Sequence, residues 1–386
     1  MQGQAVVVGV GESEYYKRGG AQETEFQLAI KAIERAADDA GLPLSKIDGL
    51  ISYMDTRNDP LRLSAALGMD DLRWSVTPWA GGGNNSSAAV QLADAAVCGG
   101  YADYVVAFRA LAQGQFYRLG SSFAGNTGAE GDYAWRHPYG AISPAQECAL
   151  QTKRFMHDHG ISQEALCDIS MACYANAQLN PRAVRYGSPL TREDYHASRW
   201  IVEPFHLFDC CPENDGAAAI IVTTPERAKD LKGSAVPILA TSQGLGPNIG
   251  SASFQGKWFP GMFYEKVGKT LWDRAGVRPT DVDVLQLYEN FTGPVVMALC
   301  ELGYCEPGEV EAFVADGALE GPDARVPFNT SGGNIGEAYI HGFEMVNEAV
   351  RQVRGDSTCQ VKNVDLSLAV GGPGYAPGSA VLFGNA

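Results

Sequence analysis

Positive charge is scarce in this chain. Its 386 residues hold 29 Lys and Arg against 45 Asp and Glu, a net charge of −16. Nucleic-acid binders draw affinity from Lys and Arg that neutralise phosphates, so that class is excluded. Long apolar runs are also lacking. None approaches the roughly 18 residues of a membrane span, and the longest candidates, such as residues 217–222, have the length of a buried strand. No C-x-x-C pair occurs among the nine cysteines, and the odd number suits neither a disulfide framework nor a zinc ribbon. His157-Asp158-His159 has no third ligand at metal-site spacing and reads as the solvated face of a helix. Met1-Gln2-Gly3-Gln4 carries none of the positive charge that opens a secretory signal, so a soluble, cytoplasmic protein is expected.

Glycine is abundant instead: 45 residues, where an average usage of about 7% would give roughly 27. Charged residues make up 19%, below the ordinary value of about 25%. Much of the backbone must therefore run through tight turns, and the solvated surface is small for the mass, as expected if one face is buried in an oligomer.

Several of these glycines mark an internal duplication. Residues 39–53 align without a gap on residues 274–288. Both segments close a helix with Ala-Gly (Ala40-Gly41 and Ala275-Gly276), pass a turn and an Asp (Asp48 and Asp283), and enter a short strand that leads to a Tyr (Tyr53 and Tyr288). Phe26, Ala29, Ile30, Ile33 and Ala37 recur at helical spacing before Gly41, which suits a left-handed cap. A second unit follows in each half. Gly81-Gly82-Gly83-Asn84-Asn85 opens a helix through Val97 ahead of a strand at 104–108, and Ser331-Gly332-Gly333-Asn334 precedes a helix at 344–354 and a strand at 366–370. Each half begins with a strand, at 5–10 and 236–240. The alternation predicts an α/β fold of two halves, 1–233 and 234–386, with mostly parallel sheets covered by helices. Residues 112–208, whose best helix spans 145–157, read as an insertion in the first half that shapes a substrate site.

This duplicated plan resembles the thiolase superfamily, in particular its sterol-carrier-protein-x branch of thiolase-like lipid-transfer proteins. Asp215-Gly216-Ala217-Ala218-Ala219 resembles the thiolase D-G-A-A-A segment, Tyr288-Glu289-Asn290-Phe291 the N-E-A-F motif, Asn329-Thr330-Ser331-Gly332-Gly333 the N-P-S-G-G motif, and Val370-Gly371-Gly372-Pro373-Gly374 the terminal C-I-G-G-G-x-G loop. The fold implied is two duplicated βαβαβ-type halves in a layered αβαβα arrangement. The catalytic positions depart from the pattern. Gly83 stands where the acylated cysteine belongs, Ala369 where the second cysteine belongs, and Tyr339 where the histidine of G-H-P belongs. Exchange through an acyl-enzyme is therefore not expected.

With tyrosines at two of these motifs, the chain resembles the steroid side-chain-cleaving aldolases of bacterial sterol catabolism. The resemblance implies retro-aldol cleavage of a 17-hydroxy-pregnene-20-carboxyl-CoA type of thioester to a 17-ketosteroid and propionyl-CoA. It also implies a homodimer at the centre of an α2β2 complex with a small OB-fold and zinc-ribbon partner. Zinc would belong to that partner alone, and this chain would need no cofactor.

Such a cleavage requires a base for the β-hydroxyl proton, donors for the thioester oxygen as the C–C bond breaks, and an acid for the enolate carbon. Tyr288 and Tyr339 are the candidate acid/base pair, and His341, two residues beyond Tyr339, is a candidate relay because imidazole titrates near neutrality. A phenol with a reference pKa near 10 needs roughly 4 kcal/mol of differential stabilisation to fall by about three units. Backbone N–H groups of Gly83, Gly371 and Gly372, with the side chains of Asn84 and Asn290, are the candidate oxyanion donors. Arg109, Arg118, Lys153 and Lys257 are candidates for the CoA phosphates, and the segment 244–256 for the pantetheine arm. The competing expectation is a non-catalytic acyl-CoA- or lipid-binding scaffold that has lost thiolase activity.

Overall fold

The computed structural model describes residues 5–53, 57–78, 82–115, 134, 136–245, 263–373 and 377–385. In chain order its strands are β1 (Val6–Glu12), β2 (Tyr16–Lys17), β3 (Gly49–Ile51), β4 (Trp74–Val76), β5 (Val105–Ala112), β6 (Trp200–Val202), β7 (Phe205–His206), β8 (Asn214–Thr223), β9 (Val236–Gly244), β10 (Val284–Leu287), β11 (Leu366–Val370) and β12 (Gly378–Gly384). Its α-helices are α1 (Glu25–Ala40), α2 (Pro60–Leu67), α3 (Ser86–Cys98), α4 (Pro144–His159), α5 (Gln163–Ala177), α6 (Arg192–Ala197), α7 (Pro225–Ala228), α8 (Tyr264–Ala275), α9 (Thr292–Glu301), α10 (Val310–Val314), α11 (Gly333–Gly336) and α12 (Phe343–Arg354).

The aligned segments fold alike. Helix α1 starts at a capping box, with the Thr24 hydroxyl accepting from the Gln27 N–H, and ends at Gly41 with φ +66°. Helix α8 ends at Gly276 with φ +70°. A side chain is disfavoured in this left-handed region, which is why glycine closes both. Each helix is followed by a single 3₁₀ turn, Leu44–Lys46 or Pro279–Asp281, and then by a fully buried strand, β3 or β10.

Strands β1, β8, β5, β3 and β4 lie side by side in that order, and β9, β12, β11 and β10 repeat the same order. The two sets join where Val6 and Val7 of β1 face Pro237 and Val236 of β9. Corresponding ladders also agree in sense. β3/β5 and β10/β11 are parallel, whereas β1/β8, β5/β8, β9/β12 and β11/β12 are antiparallel. The sheet is therefore mixed, and the expectation of mostly parallel sheets is corrected. Parallel neighbours need a crossover of about a dozen residues or more, which the short connection 371–377 between β11 and β12 cannot supply.

Helices α3 and α12 fill the space between the two strand sets. α3 packs on β5 and β8 on one side and on β9 and β12 on the other; α12 packs on β1 and β8 and on β10 and β11. Helix α1 covers the outer face of the first set and α8 that of the second. The result is the layered αβαβα arrangement. Small side chains (Ser86, Ser87, Ala88, Ala89, Ala93 and Ala96) bury most of α3 and let it sit between sheets. A shared core joins Val90, Val97, Ile220 and Val222 to Ile238, Phe343, Val346 and Phe383. Each such side chain removed from water contributes about 1.5–3 kcal/mol. Residues 112–208 supply α4, α5, α6 and the β6/β7 hairpin, and α4 and α5 pack on α9, so this segment shares a core with the second half. No described helix is long and apolar enough to cross a membrane.

Candidate active site

Two loops bring the tyrosines together. Tyr288 follows β10, its N–H donating to the Val370 carbonyl of β11 at 3.2 Å. Tyr339 lies in the coil between α11 and α12, and its N–H donates to Asn214 Oδ1 at 2.9 Å. The Tyr288 hydroxyl then donates to the Tyr339 hydroxyl at 2.9 Å. Both rings are buried, 2% and 5% exposed, and pack with Leu111 and the partly buried Cys211.

Gly83 lies against the Tyr288 ring. A Cβ there would stand 2.0 Å from Cε2 and 2.4 Å from the hydroxyl. A Cβ on Gly342 or Gly372 would likewise meet this side chain, at 2.7 and 3.1 Å. The phenol thus occupies the space that a side chain at position 83 would need. Gly83 and Tyr288 are in contact across 205 positions of chain, so the size of one sets the room for the other.

The donor candidates fare differently. Asn84 and Asn290 are buried, and the Oδ1 atom of each has no hydrogen-bond partner among the described residues. A buried amide oxygen without its partner is costly, so each offers a free acceptor, and the amide N–H of the same side chain is a donor by its chemistry. Gly371 is less suited than the sequence implies, because its N–H already donates to the Ser379 carbonyl at 2.8 Å. The Gly372 N–H has no acceptor among the described residues. Gly81 and Gly374, and residues 246–256 of the pantetheine candidate, lie outside the described residues, as do Arg118 and Lys257.

His341 sits beside the pair, with its ring 5.1 Å from that of Tyr339. Its Nδ1 accepts from Arg109 Nε at 3.2 Å, and its carbonyl accepts from the Tyr53 hydroxyl at 2.9 Å. Arg109 is 2% exposed and lies 5.5 Å over the Tyr53 ring. Its assignment to CoA phosphates is corrected: this guanidinium faces the tyrosine site from β5. Its signal is an arginine within the otherwise apolar run Val105-Val106-Ala107-Phe108-Arg109-Ala110-Leu111. Lys153 is exposed and paired with Glu203 at 2.6 Å.

Burial sets the electrostatics. It pushes the Tyr288 and Tyr339 phenols well above the usual tyrosine range; for Tyr339 the hydrogen bond from Tyr288 and, least, the Arg109 charge oppose the rise without reversing it. Burial likewise raises the Cys211 thiol well above its normal value, which keeps it neutral beside the pair. Carboxyl groups unremarkable in the sequence surround the site. Burial pushes Glu289 up to about 7, although it accepts from Asn334 Nδ2 and the Ile335 N–H, both at 3.0 Å. Glu337 is also pushed up to about 7 by burial. Glu344, in the first turn of α12, is raised well above the usual carboxylate range by burial, against a smaller opposing pull from backbone N–H groups at Glu344 and Ile340. Among the described residues, the one group with metal-ligand chemistry, Glu164, Cys167 and His196, lies on α5 and α6. The Arg192 guanidinium already donates to Glu164 at 2.9 Å and contacts Cys167 Sγ at 3.6 Å, so a cation there would meet like charge.

The paired sheets, the two helices between them and the site where both halves' glycine loops meet define a thiolase fold. Residues 261–383 match the family model described as thiolase C-terminal domain-like. The human mitochondrial 3-ketoacyl-CoA thiolase superposes with a TM-score of 0.71 over 100% of this chain and 99% of that one, at 13% identity. Nearer relatives narrow the family. The 17-hydroxy-3-oxo-4-pregnene-20-carboxyl-CoA lyase of Mycobacterium tuberculosis is 38% identical over 392 residues, covering 100% of both chains. The steroid side-chain-cleaving aldolase of Thermomonospora curvata is 37% identical over 390 residues, covering 100% of this chain and 98% of that one. A solved Ltp2-ChsH2(DUF35) aldolase superposes with a TM-score of 0.91 at 36% identity, over 99% and 98% of the two chains. The chain belongs to the steroid side-chain-cleaving aldolases of the thiolase superfamily.

Proposed function

We propose that this protein cleaves a steroid side chain by a retro-aldol reaction on a 17-hydroxy-20-carboxyl-CoA thioester, releasing a 17-ketosteroid and propionyl-CoA. The observation that carries this reading is the buried hydroxyl pair of Tyr288 and Tyr339, 2.9 Å apart, with the Tyr288 ring in the space that a side chain at position 83 would need. The C17 hydroxyl passes its proton to one phenol as that phenol passes its own along the hydrogen bond to the other, so a proton is relayed through the neutral pair. The C17–C20 bond breaks, its electrons move into the thioester to form an enolate, and a proton returned to C20 completes propionyl-CoA. One proton enters the pair and one leaves it, so the pair is regenerated without an acyl-enzyme. The hydrogen bond between the hydroxyls lets either phenol stabilise the other's anion, and Arg109 supplies positive charge on the Tyr339 side. Asn84, Asn290 and the Gly372 N–H are the donors available to the thioester oxygen, and an unpartnered Oδ1 suits the substrate hydroxyl.

The chain acts as the central homodimer of an α2β2 complex. Its partner is a small OB-fold and zinc-ribbon protein, which holds any zinc and part of the CoA nucleotide. Support comes from the scarcity of cations in this chain and from the solved relative, which is a two-protein complex. The test is incubation of the purified complex with a 17-hydroxy-20-carboxyl-CoA steroid, with propionyl-CoA measured by mass spectrometry. Release of propionyl-CoA is expected; its absence with the partner present would leave the non-catalytic scaffold instead.

A further inference from the structure

We propose that Asn214, the first residue of β8, is the positioning residue that sets Tyr339 at hydrogen-bond distance from Tyr288. The inference rests on the retro-aldol reading of the tyrosine pair for its effect on turnover, whereas the tie itself is read from geometry. The two phenols are anchored differently. Tyr288 stands just beyond β10, where its N–H extends the ladder to β11 by donating to the Val370 carbonyl at 3.2 Å. Tyr339 lies in coil, outside any strand, and its N–H donates to a side chain, Asn214 Oδ1 at 2.9 Å. A shift of that peptide would carry the Tyr339 hydroxyl out of the 2.9 Å contact along which the proton is relayed.

Asn214 is itself held on two further sides. Its Nδ2 donates to the Tyr16 carbonyl of β2 at 3.0 Å, and its main-chain N–H donates to Gln113 Oε1, just beyond β5, at 2.7 Å. With Nδ2 turned to one carbonyl, Oδ1 is the atom that meets the Tyr339 N–H, so both ends of the amide are matched to their partners. The side chain is fully buried, where an N–H left without its acceptor is costly. Successive side chains of a strand face opposite ways, and Asp215 uses the other side of β8. Its carboxylate accepts from the Gly19 N–H at 2.7 Å and the Gly114 N–H at 2.9 Å. Asp215 therefore steadies the ends of β2 and β5, the two backbones against which Asn214 is braced. Asn214 passes that fixed position to a phenol of the second half.

The test uses the intact complex, with assembly of each variant checked by size-exclusion chromatography. Asn214→Ala removes the acceptor and should lower kcat by about 10²-fold with little change in KM, the cost of displacing a reacting group by about 1 Å. Asn214→Leu, which keeps the bulk without the acceptor, takes its place if the smaller side chain prevents assembly. Asn214→Asp keeps an oxygen at the Oδ1 position and should recover most of the lost rate. In a Tyr339→Phe background, Asn214→Ala should have almost no further effect on the residual rate, because a residue that acts through the Tyr339 hydroxyl then has nothing left to position. Hydrogen exchange followed by mass spectrometry gives a readout independent of turnover: the Tyr339 amide should lose protection in Asn214→Ala and keep it in Asn214→Asp. The assignment is overturned by an equal loss of rate in both backgrounds, by an Asp variant that falls as far as Ala in an assembled complex, or by unchanged protection of the Tyr339 amide in Asn214→Ala. If the wild-type complex releases no propionyl-CoA, the retro-aldol reading fails, and amide protection still decides whether Asn214 holds Tyr339.

Discussion

Tyr53 and Tyr288 occupy the same place in the two aligned halves, each just beyond the strand that follows the capped helix, yet their hydroxyls differ in use. Tyr53 donates to a backbone carbonyl, that of His341. Tyr288 donates to another hydroxyl, that of Tyr339. A bond to a main-chain carbonyl fixes geometry; a bond between two phenols can move a proton. The duplication therefore supplied two equivalent rings, and only the second meets another hydroxyl.

The sharpest way to break this comparison is to remove the hydroxyls one at a time. Tyr288→Phe and Tyr339→Phe should each lower kcat by about 10²–10⁴-fold, the usual worth of general acid–base catalysis, with the complex intact by size-exclusion chromatography. Near-wild-type rates in both would place the chemistry elsewhere. Next in size is Gly83→Ala, whose Cβ would stand 2.0 Å from the Tyr288 ring. A displacement of about 1 Å at a reacting group costs on the order of 10²-fold in rate, and the overpacking should destabilise by about 1–3 kcal/mol. On a Tyr288→Ala background, itself destabilised by its cavity, Gly83→Ala should cost less stability in a denaturant melt than it does in wild type, with turnover lost in both.

Tyr53→Phe should behave differently. Leaving a buried carbonyl without its donor costs about 1–3 kcal/mol, visible in thermal unfolding, while propionyl-CoA release continues. A loss of rate as large as that of Tyr288→Phe would erase the asymmetry between the halves. The smallest effect is one of pH. Burial raises Glu289 from 4.5 to about 7 in the folded chain. The folded state therefore binds this proton more tightly than the unfolded state, and stability falls as pH rises from about 4.5 to about 7, then levels off. Glu289→Gln should flatten that slope in melting temperatures measured between pH 5 and 8; an unchanged slope would put the titration on other groups.

Much of the fold was legible because its signals are local. Gly41 and Gly276 cap helices by their own backbone conformation, and the strands at 366–370 and 236–240 follow from short apolar runs at the expected places. Strand sense was not legible: β8 and β12 run antiparallel to their neighbours because of how the chain returns to the sheet, which no local pattern encodes. The tyrosines could be singled out by position in motifs, but their 2.9 Å contact spans 51 residues and depends on the coil between α11 and α12. Arg109 is an apolar-strand anomaly in sequence, and only its burial and its bond to His341 give it a role at the site. Glu344 gave no signal at all, since an acidic residue in the first turn of a helix is ordinary; its burial depends on the packing of α12 between the two strand sets.

The contact between Gly83 and Tyr288 also bears on the history of the family. A lineage that regained cysteine at position 83 in one step would drive its Cβ into the phenol. One that first shrank Tyr288 would lose half of the hydroxyl pair while still lacking a nucleophile. A side chain at position 83 and the Tyr288 ring exclude one another, so a change at either position sets what the other can hold.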